Sequence, residues 1–227
     1  MQEAQPAHAL GALDTSLVKP RLRGVLHQYA FFVSLALGVS LVALAPAGRA
    51  KLAAVIYALA VSGLLGTSAL YHRVTWSKRV RAWMRRLDHS MIFVLIAGTY
   101  TPFALLVLSG TLARAILIVV WAGAAAGVVL KLAWITAPRW VTAGVYVALG
   151  WVAIAAMPEL ASALGAPAVA LVMTGGVLYT AGAVIYALKR PDPVPTVFGY
   201  HEIFHALVVA AAAAHFAVIA FFVMPHH

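Results

Sequence analysis

Long runs without a charged residue are the feature that most constrains this chain. Glu159 and Lys189 enclose 29 uncharged residues, Arg23 and Arg49 enclose 25, and another 25 follow Glu202. A helix that spans a bilayer needs about 20 consecutive apolar residues. Of the 227 residues, 64% are hydrophobic and 10% are charged, whereas soluble domains carry about 25% charged residues. The chain is therefore a membrane protein, and a soluble globule and a disordered chain are both excluded.

The charged residues divide the chain into seven predicted transmembrane helices, so the predicted fold class is all-α. Lys131 interrupts the fourth span, and we expect its ammonium group to reach outward to water. Residues 1–18 form a predicted polar tail that does not resemble a cleavable signal peptide, and residues 19–227 form one seven-helix domain. The predicted spans are residues 24–46, 51–72, 88–108, 112–133, 139–158, 166–188 and 200–224.

Lysine and arginine residues predict how these helices are oriented. A cytoplasmic N-terminus places 13 of the 16 Lys and Arg residues on the inner side and leaves Arg49, Lys51 and Arg114 outside. Cytoplasmic loops of membrane proteins carry such an excess of positive charge. We therefore expect the N-terminus in the cytoplasm and the C-terminus outside. The net charge of +10 then fits this topology and anionic lipid, and we predict no nucleic-acid partner.

The longest predicted inner loop, residues 73–87, combines six cations with apolar residues at helical spacing. The apolar positions are Val80, Trp83, Met84 and Leu87. This pattern is typical of an amphipathic segment that lies on an anionic leaflet. We predict anionic lipid as a partner of the segment from Arg73 to Arg86. The alternative is that these cations only determine the topology.

Polar and ionisable residues gather at three helix ends that the topology places at the same depth. Ser68 and His72 lie four residues apart near the inner end of the second span, and Asp88 begins the third. His201 and His205, also four apart, lie at the start of the seventh. Residues at this spacing share one helical face, and two such histidines can chelate one metal ion. We expect the three groups to meet just beneath the cytoplasmic surface.

These residues together indicate a metal site. The chain has no cysteine, so the available ligands are histidine, carboxylate and hydroxyl groups. Three histidines can bind tetrahedral zinc and leave a fourth position open, as catalytic zinc sites do. Asp88 and Ser68 could then orient and deprotonate a water molecule. Each residue alone also has a structural explanation, because His and Asp at helix ends interact with the helix dipole.

The string His201-Glu202-x-x-His205 also matches the zincin motif, in which the glutamate is the general base. A zincin takes its third ligand from downstream, but His215 lies ten residues further along the same helix, about 15 Å away. His72 is therefore the candidate third ligand. Glu202 points about 100° away from His201, so we predict that it supports the site or faces lipid headgroups. We predict that His215 is a packed polar residue.

Taken in their order along the chain, the three groups of residues around Ser68 and His72, Asp88, and His201 and His205 resemble the signature of the progestin and adipoQ receptor family, in particular its bacterial haemolysin III branch. The resemblance spans nearly the whole chain. It implies a seven-helix fold and a zinc ion bound by His72, His201 and His205, with water as the fourth ligand near Asp88 and Ser68. The motifs that carry it are Ser68-x-x-x-His72, Asp88-His89-Ser90 continuing to Tyr100-Thr101-Pro102, and His201-x-x-x-His205.

The predicted function is that of a zinc-dependent hydrolase in a bacterial cytoplasmic (inner) membrane. Its substrate would be an amide or ester of a membrane lipid, since the resemblance implies ceramidase-like chemistry. Asp88 would accept a proton from water, and Ser68 would hold the water or the developing oxyanion. The alternative is a non-enzymatic lipid sensor, transporter or membrane-homeostasis factor with a structural zinc. The scarcity of other charges within the spans favours the enzyme, because a proton path usually needs a relay.

Overall fold

The computed structural model describes residues 19–226, and it forms α-helices without a β-strand in that range. The all-α fold class is therefore confirmed. The predicted polar tail, residues 1–18, and His227 lie outside the described residues. The helices are α1 (Val25–Leu44), α2 (Arg49–Arg73), α3 (Lys78–Pro102), α4 (Gly110–Ala133), α5 (Arg139–Gly150), α6 (Met157–Leu188) and α7 (Tyr200–Val218). Short π-helical or 3₁₀-helical segments continue three of them, at Phe103–Val107, Trp151–Ala156, Ile219–Val223 and Met224–His226.

Six helical stretches within the described residues are long and apolar enough to cross a membrane. One of them, Arg139–Leu188, joins α5 to α6 and contains 50 residues. A straight helix of this length would measure about 75 Å, more than twice the roughly 30 Å thickness of the apolar core. Gly165 interrupts the stretch with non-helical angles, φ 79° and ψ 172°. The stretch therefore bends at Gly165, immediately before the predicted start of the sixth span.

Helix α3 begins ten residues before the predicted start of the third span. The charge pattern predicts a loop over residues 73–87, but only residues 74–77 separate α2 from α3. The side chain of Ser77 accepts a hydrogen bond from the Val80 amide at 3.4 Å and caps the helix. Lys, Arg, Met, Ala and Leu all favour helix, so the charges end the apolar run without ending the helix. The cationic segment thus forms the first turns of a continuous helix.

The helices pack closely around a core of small and aromatic residues. Helices that follow one another in sequence pack together, and α7 packs against both α6 and α1. Phe93 of α3 is fully buried, and its ring fills the space that a Cβ atom at Gly127 of α4 would occupy. Small residues at helix interfaces allow such close approach in membrane proteins.

Lys131 does not reach outward to water, so that expectation is wrong. Its side chain is 1% exposed, and its ammonium donates a hydrogen bond to Thr142 Oγ1 at 2.6 Å. The cause is the short connection between α4 and α5, residues 134–138, which lays the start of α5 over the last turn of α4.

Candidate metal centre

Three histidines from two helices form the centre of the site. His72 lies in the last turn of α2, whereas His201 and His205 lie in the first two turns of α7. One ring nitrogen from each of them lies within 4.8 Å of the others, and the Nε2 atoms of His72 and His201 are 3.2 Å apart. Nitrogen ligands of a tetrahedral zinc ion lie roughly 3.4 Å from one another. The three buried rings are therefore close enough to hold one metal ion.

Asp88 and Ser68 lie beside these histidines. Oδ2 of Asp88 is 3.7 Å from Nε2 of His72, too long for a direct hydrogen bond. Ser68 precedes His72 by one helical turn of α2. Both residues are buried and line the cavity described below. The structure thus brings together all five residues that the sequence predicts for the site.

His27 of α1 belongs to the same cluster, although the sequence analysis did not select it. Its ring stacks on His205 with centroids 3.8 Å apart and an angle of 12° between the planes. The side chain is 2% exposed, and neither ring nitrogen has a hydrogen-bond partner among residues 19–226. Its predicted depth could have pointed to it, because His27 lies near the inner end of the first predicted span, at the same depth as the other histidines.

Glu202 is 1% exposed, so the alternative in which it faces lipid headgroups is wrong. Its Oε1 accepts a hydrogen bond from Nε of Arg23, and its Oε2 accepts one from the Gly199 amide at 2.8 Å. The second bond is half of a capping box at the N-terminus of α7. Glu202 therefore supports the start of the helix that carries His201 and His205. Because both oxygens are engaged in this way, the zincin assignment lacks its general base.

A long cavity extends from the histidine cluster between the helices. Its lining begins at Asp88 on α3 and continues beyond the end of that helix to Phe103 and Leu108. The distance from Asp88 to Phe103 is about 22 Å along a helix, most of the roughly 30 Å apolar core of a bilayer. The side chains that line it are mostly apolar and include Ile92, Leu95, Ile96, Phe103, Val147, Ile154, Met157, Leu160, Val172 and Val208. The cavity thus extends from the ionisable histidine cluster into an apolar space between the helices.

His215 is a packed polar residue, as predicted. Its Nε2 lies 3.2 Å from the carbonyl oxygen of Val172, and its ring occupies the space beside Gly175. It lines the cavity ten residues beyond His205, about 15 Å along α7, and is not part of the three-histidine cluster.

A family model described as haemolysin-III related matches residues 15–216, which include every residue of the site. The chain belongs to the haemolysin III family. "Hemolysin-3 homolog" of Bacillus subtilis (strain 168) is 35% identical over 167 residues, 74% of this chain and 75% of that protein. "Hemolysin-3" of Bacillus cereus is 33% identical over 178 residues, 78% and 77% of the two chains.

A more distant relative comes from animals. Human "Monocyte to macrophage differentiation factor" is 27% identical over 173 residues, 74% of this haemolysin III protein and 69% of the human chain. No solved structure matches the chain significantly. The family resemblance drawn from the motifs is confirmed.

Proposed function

We propose that this haemolysin III protein is a zinc-dependent hydrolase that cleaves an amide or ester bond of a membrane lipid. The observation that carries the proposal is the position of a buried three-histidine cluster, with a carboxylate and a hydroxyl beside it, at one end of an apolar cavity. An apolar pocket with a few convergent polar groups is the usual form of a binding site for an apolar ligand.

The residues of the cluster divide the chemistry between them. His72, His201 and His205 would hold zinc, which when bound polarises a carbonyl group and makes water acidic near neutral pH. The Asp88 carboxylate would accept the proton of the attacking water. The Ser68 hydroxyl, which lines the same cavity as Asp88, would donate a hydrogen bond to the oxygen on which negative charge develops. The acyl chain of the lipid would occupy the cavity and exclude bulk water from the site.

The proposal includes a topology of seven spans with a cytoplasmic N-terminus. The stretch Arg139–Leu188 would cross the membrane twice, on either side of the bend at Gly165. The excess of Lys and Arg on one side supports this orientation. The histidine cluster would then lie near the cytoplasmic face of a bacterial inner membrane.

The first turns of α3 would contact anionic lipid. Trp83 is 55% exposed, Leu87 is 46% exposed and Val80 is 40% exposed, although all three are large and apolar. Five of the remaining positions of these turns are cations, Lys78, Arg79, Arg81, Arg85 and Arg86. A helix with this distribution binds the interface of an anionic leaflet through both its apolar and its positive residues.

The test replaces Asp88 by Asn, which keeps the size of the side chain but cannot accept the proton. Zinc content, growth phenotype and the lipid composition of the cells are measured in one strain. We expect the Asp88→Asn protein to fold and bind zinc, to lose about 10²–10⁴-fold of its hydrolytic rate, and to let the lipid substrate accumulate. Asp192→Asn is the matched control, because the Asp192 carboxylate bonds the Tyr200 amide outside the histidine cluster and an Asn oxygen can keep that bond.

The non-enzymatic alternative makes the opposite prediction for the same strain. A sensor or transporter with a structural zinc would leave the lipid composition unchanged when Asp88 becomes Asn. Full hydrolytic activity in a zinc-loaded Asp88→Asn protein would contradict the mechanism.

A further inference from the structure

Two polar side chains in the middle of the long cavity lack hydrogen-bond partners. Tyr179 of α6 and His215 of α7 both line the cavity, and the centres of their rings lie 5.6 Å apart. The Tyr179 hydroxyl and Nδ1 of His215 are buried, and neither has a hydrogen-bond partner among residues 19–226. Buried polar atoms in folded proteins are almost always hydrogen-bonded. A partner that is not part of these residues is therefore expected between or beside the two rings.

The pair lies about 10–15 Å from the histidine cluster. His215 follows His205 by ten residues, which is about 15 Å along α7. Tyr179 precedes Tyr186 by seven residues, about 10 Å along α6, and the centre of the Tyr186 ring is 6.0 Å from that of His201. Two helices thus independently place the pair at a similar depth. In the proposed topology this depth is near the middle of the roughly 30 Å apolar core.

The hydrogen bond that His215 already makes determines what the missing partner must offer. Nε2 of His215 lies 3.2 Å from the Val172 carbonyl oxygen, which can only accept, so Nε2 carries the proton. Nδ1 of a neutral ring is then an acceptor that needs a donor. An imidazolium ring is disfavoured, because the one acidic side chain that lines the cavity in the described part of the chain, Asp88, lies at the histidine cluster.

A single hydroxyl group satisfies both atoms. It can donate its proton to Nδ1 of His215 and accept the proton of the Tyr179 hydroxyl. A carbonyl oxygen cannot do so, because it has no proton to donate to Nδ1. The missing partner is therefore a group that both donates and accepts.

The surroundings of the pair fit the chain of a lipid and no polar headgroup. The Thr180 hydroxyl, next to Tyr179 in sequence, already donates to the Gly176 carbonyl oxygen at 2.8 Å and accepts from Nε1 of Trp151 at 3.0 Å. The other residues that line the cavity within about two turns of the pair on α6 and α7 are small or apolar. They are Val172, Met173, Gly176, Ala183 and Val208.

We infer that the cavity binds an acyl chain that carries a hydroxyl group, and that this hydroxyl bonds Tyr179 and His215. A fully extended chain advances about 1.2 Å per bond, so 10–15 Å corresponds to about 8–12 bonds. With the acyl carbonyl at the histidine cluster, the hydroxyl lies on about the ninth to the thirteenth carbon of the chain. The position of the carbonyl rests on the proposed function, whose substrate class the inference narrows to hydroxyacyl lipids.

A water molecule is the other partner that both donates and accepts. A bound water would satisfy the same two atoms beside an unsubstituted acyl chain. The position of a hydroxyl group along the chain would then have no effect on affinity, and this difference separates the two partners.

The test measures the binding of three fatty acids to the purified full-length protein in a neutral detergent, by displacement of a fluorescent fatty acid. The probes are stearic acid, 12-hydroxystearic acid and 5-hydroxystearic acid, whose hydroxyl lies only about 5 Å from its carboxyl carbon. The two isomers contain the same groups, so they enter the detergent to a similar extent. We expect the wild-type protein to bind the 12-hydroxy isomer about tenfold more tightly than the 5-hydroxy isomer, because it gains two buried hydrogen bonds.

Two variants remove the two partners of the hydroxyl one at a time. Tyr179→Phe removes only the hydroxyl group, whereas His215→Gln keeps an N–H for the Val172 carbonyl oxygen and removes the Nδ1 acceptor. Each should lose most of the preference for the 12-hydroxy isomer, and Tyr179→Phe decides alone if His215→Gln does not fold. Tyr146→Phe is the matched control, because Tyr146 also lines the cavity but its hydroxyl already donates to the His89 carbonyl oxygen at 2.8 Å. It should keep the preference.

Equal binding of the two isomers by the wild-type protein would overturn the inference in favour of a bound water. A preference that persists in Tyr179→Phe would also overturn it, because the hydroxyl would then be recognised elsewhere. Zinc content and lipid hydrolysis are measured on the same samples. A preference for the 12-hydroxy isomer without hydrolysis of any lipid would contradict the proposed function and leave this binding site standing. Hydrolysis without the preference would contradict this inference alone.

Discussion

The ring of His27 lies flat against His205 and restricts the rotation of that ring. His27→Ala removes the stacked ring, and we expect zinc affinity to fall about tenfold, as it does when a group that orients a metal ligand is lost. His27→Phe keeps a flat ring at the same place and should retain most of the affinity. The measurement is a competition for zinc between the purified protein and a chromophoric chelator.

The pair of variants separates two roles of His27. An equal loss of affinity in the Ala and Phe variants would mean that the ring nitrogens are needed and that stacking alone does not explain the residue. Unchanged affinity in His27→Ala would show that the stack with His205 does not orient the ligand.

Sequence alone could select His201 and His205 because their spacing puts both rings on one face of a helix. His72 and Asp88 followed from the topology, which placed two more helix ends at the same depth. His27 has no partner at helical spacing, and its contact with His205 joins α1 to α7. Such a contact depends on the packing of two helices that are distant in sequence, and no local pattern encodes it.

At the scale of the helices, the start of α1 is pressed against the end of α2. Gly24 precedes α1 with φ +80°, and a Cβ atom there would lie 2.5 Å from Cβ of His72. Gly24→Ala should therefore lower thermal stability and zinc content together. Gly48→Ala is the matched control, since Gly48 also has a positive φ, +90°, but has open space around it.

Gly24 has left-handed angles, so Gly24→Ala incurs a cost of about 1–2 kcal/mol. Gly48, with φ 90° and ψ −135°, lies in a region that glycine alone adopts readily, so Gly48→Ala should be strained at least as much. Only Gly24→Ala should also displace His72, so a lower zinc content in Gly24→Ala than in Gly48→Ala reports that contact. Equal zinc content in Gly24→Ala and Gly48→Ala would contradict the close packing of α1 on His72.

The predicted helix ends agree with the structure where the helix stops at the same turn residue or charged residue that ends the apolar run. The start of α3 was missed because charged residues that favour helix follow Ser77 directly. The burial of Lys131 was missed for a different reason. A lysine near the end of a span normally reaches outward to water, and only the position of Thr142 on α5 shows that this one turns inward.

At the scale of the whole molecule, the proposed topology crosses the membrane seven times. The chain has no cysteine, so each introduced cysteine is the only thiol in the protein. In spheroplasts, a membrane-impermeant maleimide should label Arg114→Cys and Ser162→Cys. Lys78→Cys and Lys189→Cys should be labelled only after lysis.

Ser162 tests the division of Arg139–Leu188, because it is exposed and lies three residues before the bend at Gly165. Labelling of Ser162→Cys only after lysis would mean that this stretch does not cross the membrane twice. Labelling of Lys78→Cys from outside would reverse the orientation of the whole protein and move the histidine cluster to the outer face.

The most direct test of the account is the metal content and coordination of the purified wild-type protein and of His72→Ala. We predict about one zinc ion per wild-type chain, with histidine nitrogens as its protein ligands in X-ray absorption spectra. His72→Ala, His201→Ala and His205→Ala should each lose most of the metal, whereas Asp88→Ala should retain more of it. A wild-type protein without bound metal, or a His72→Ala protein with unchanged zinc, would contradict the central claim that α2 and α7 together form a metal site.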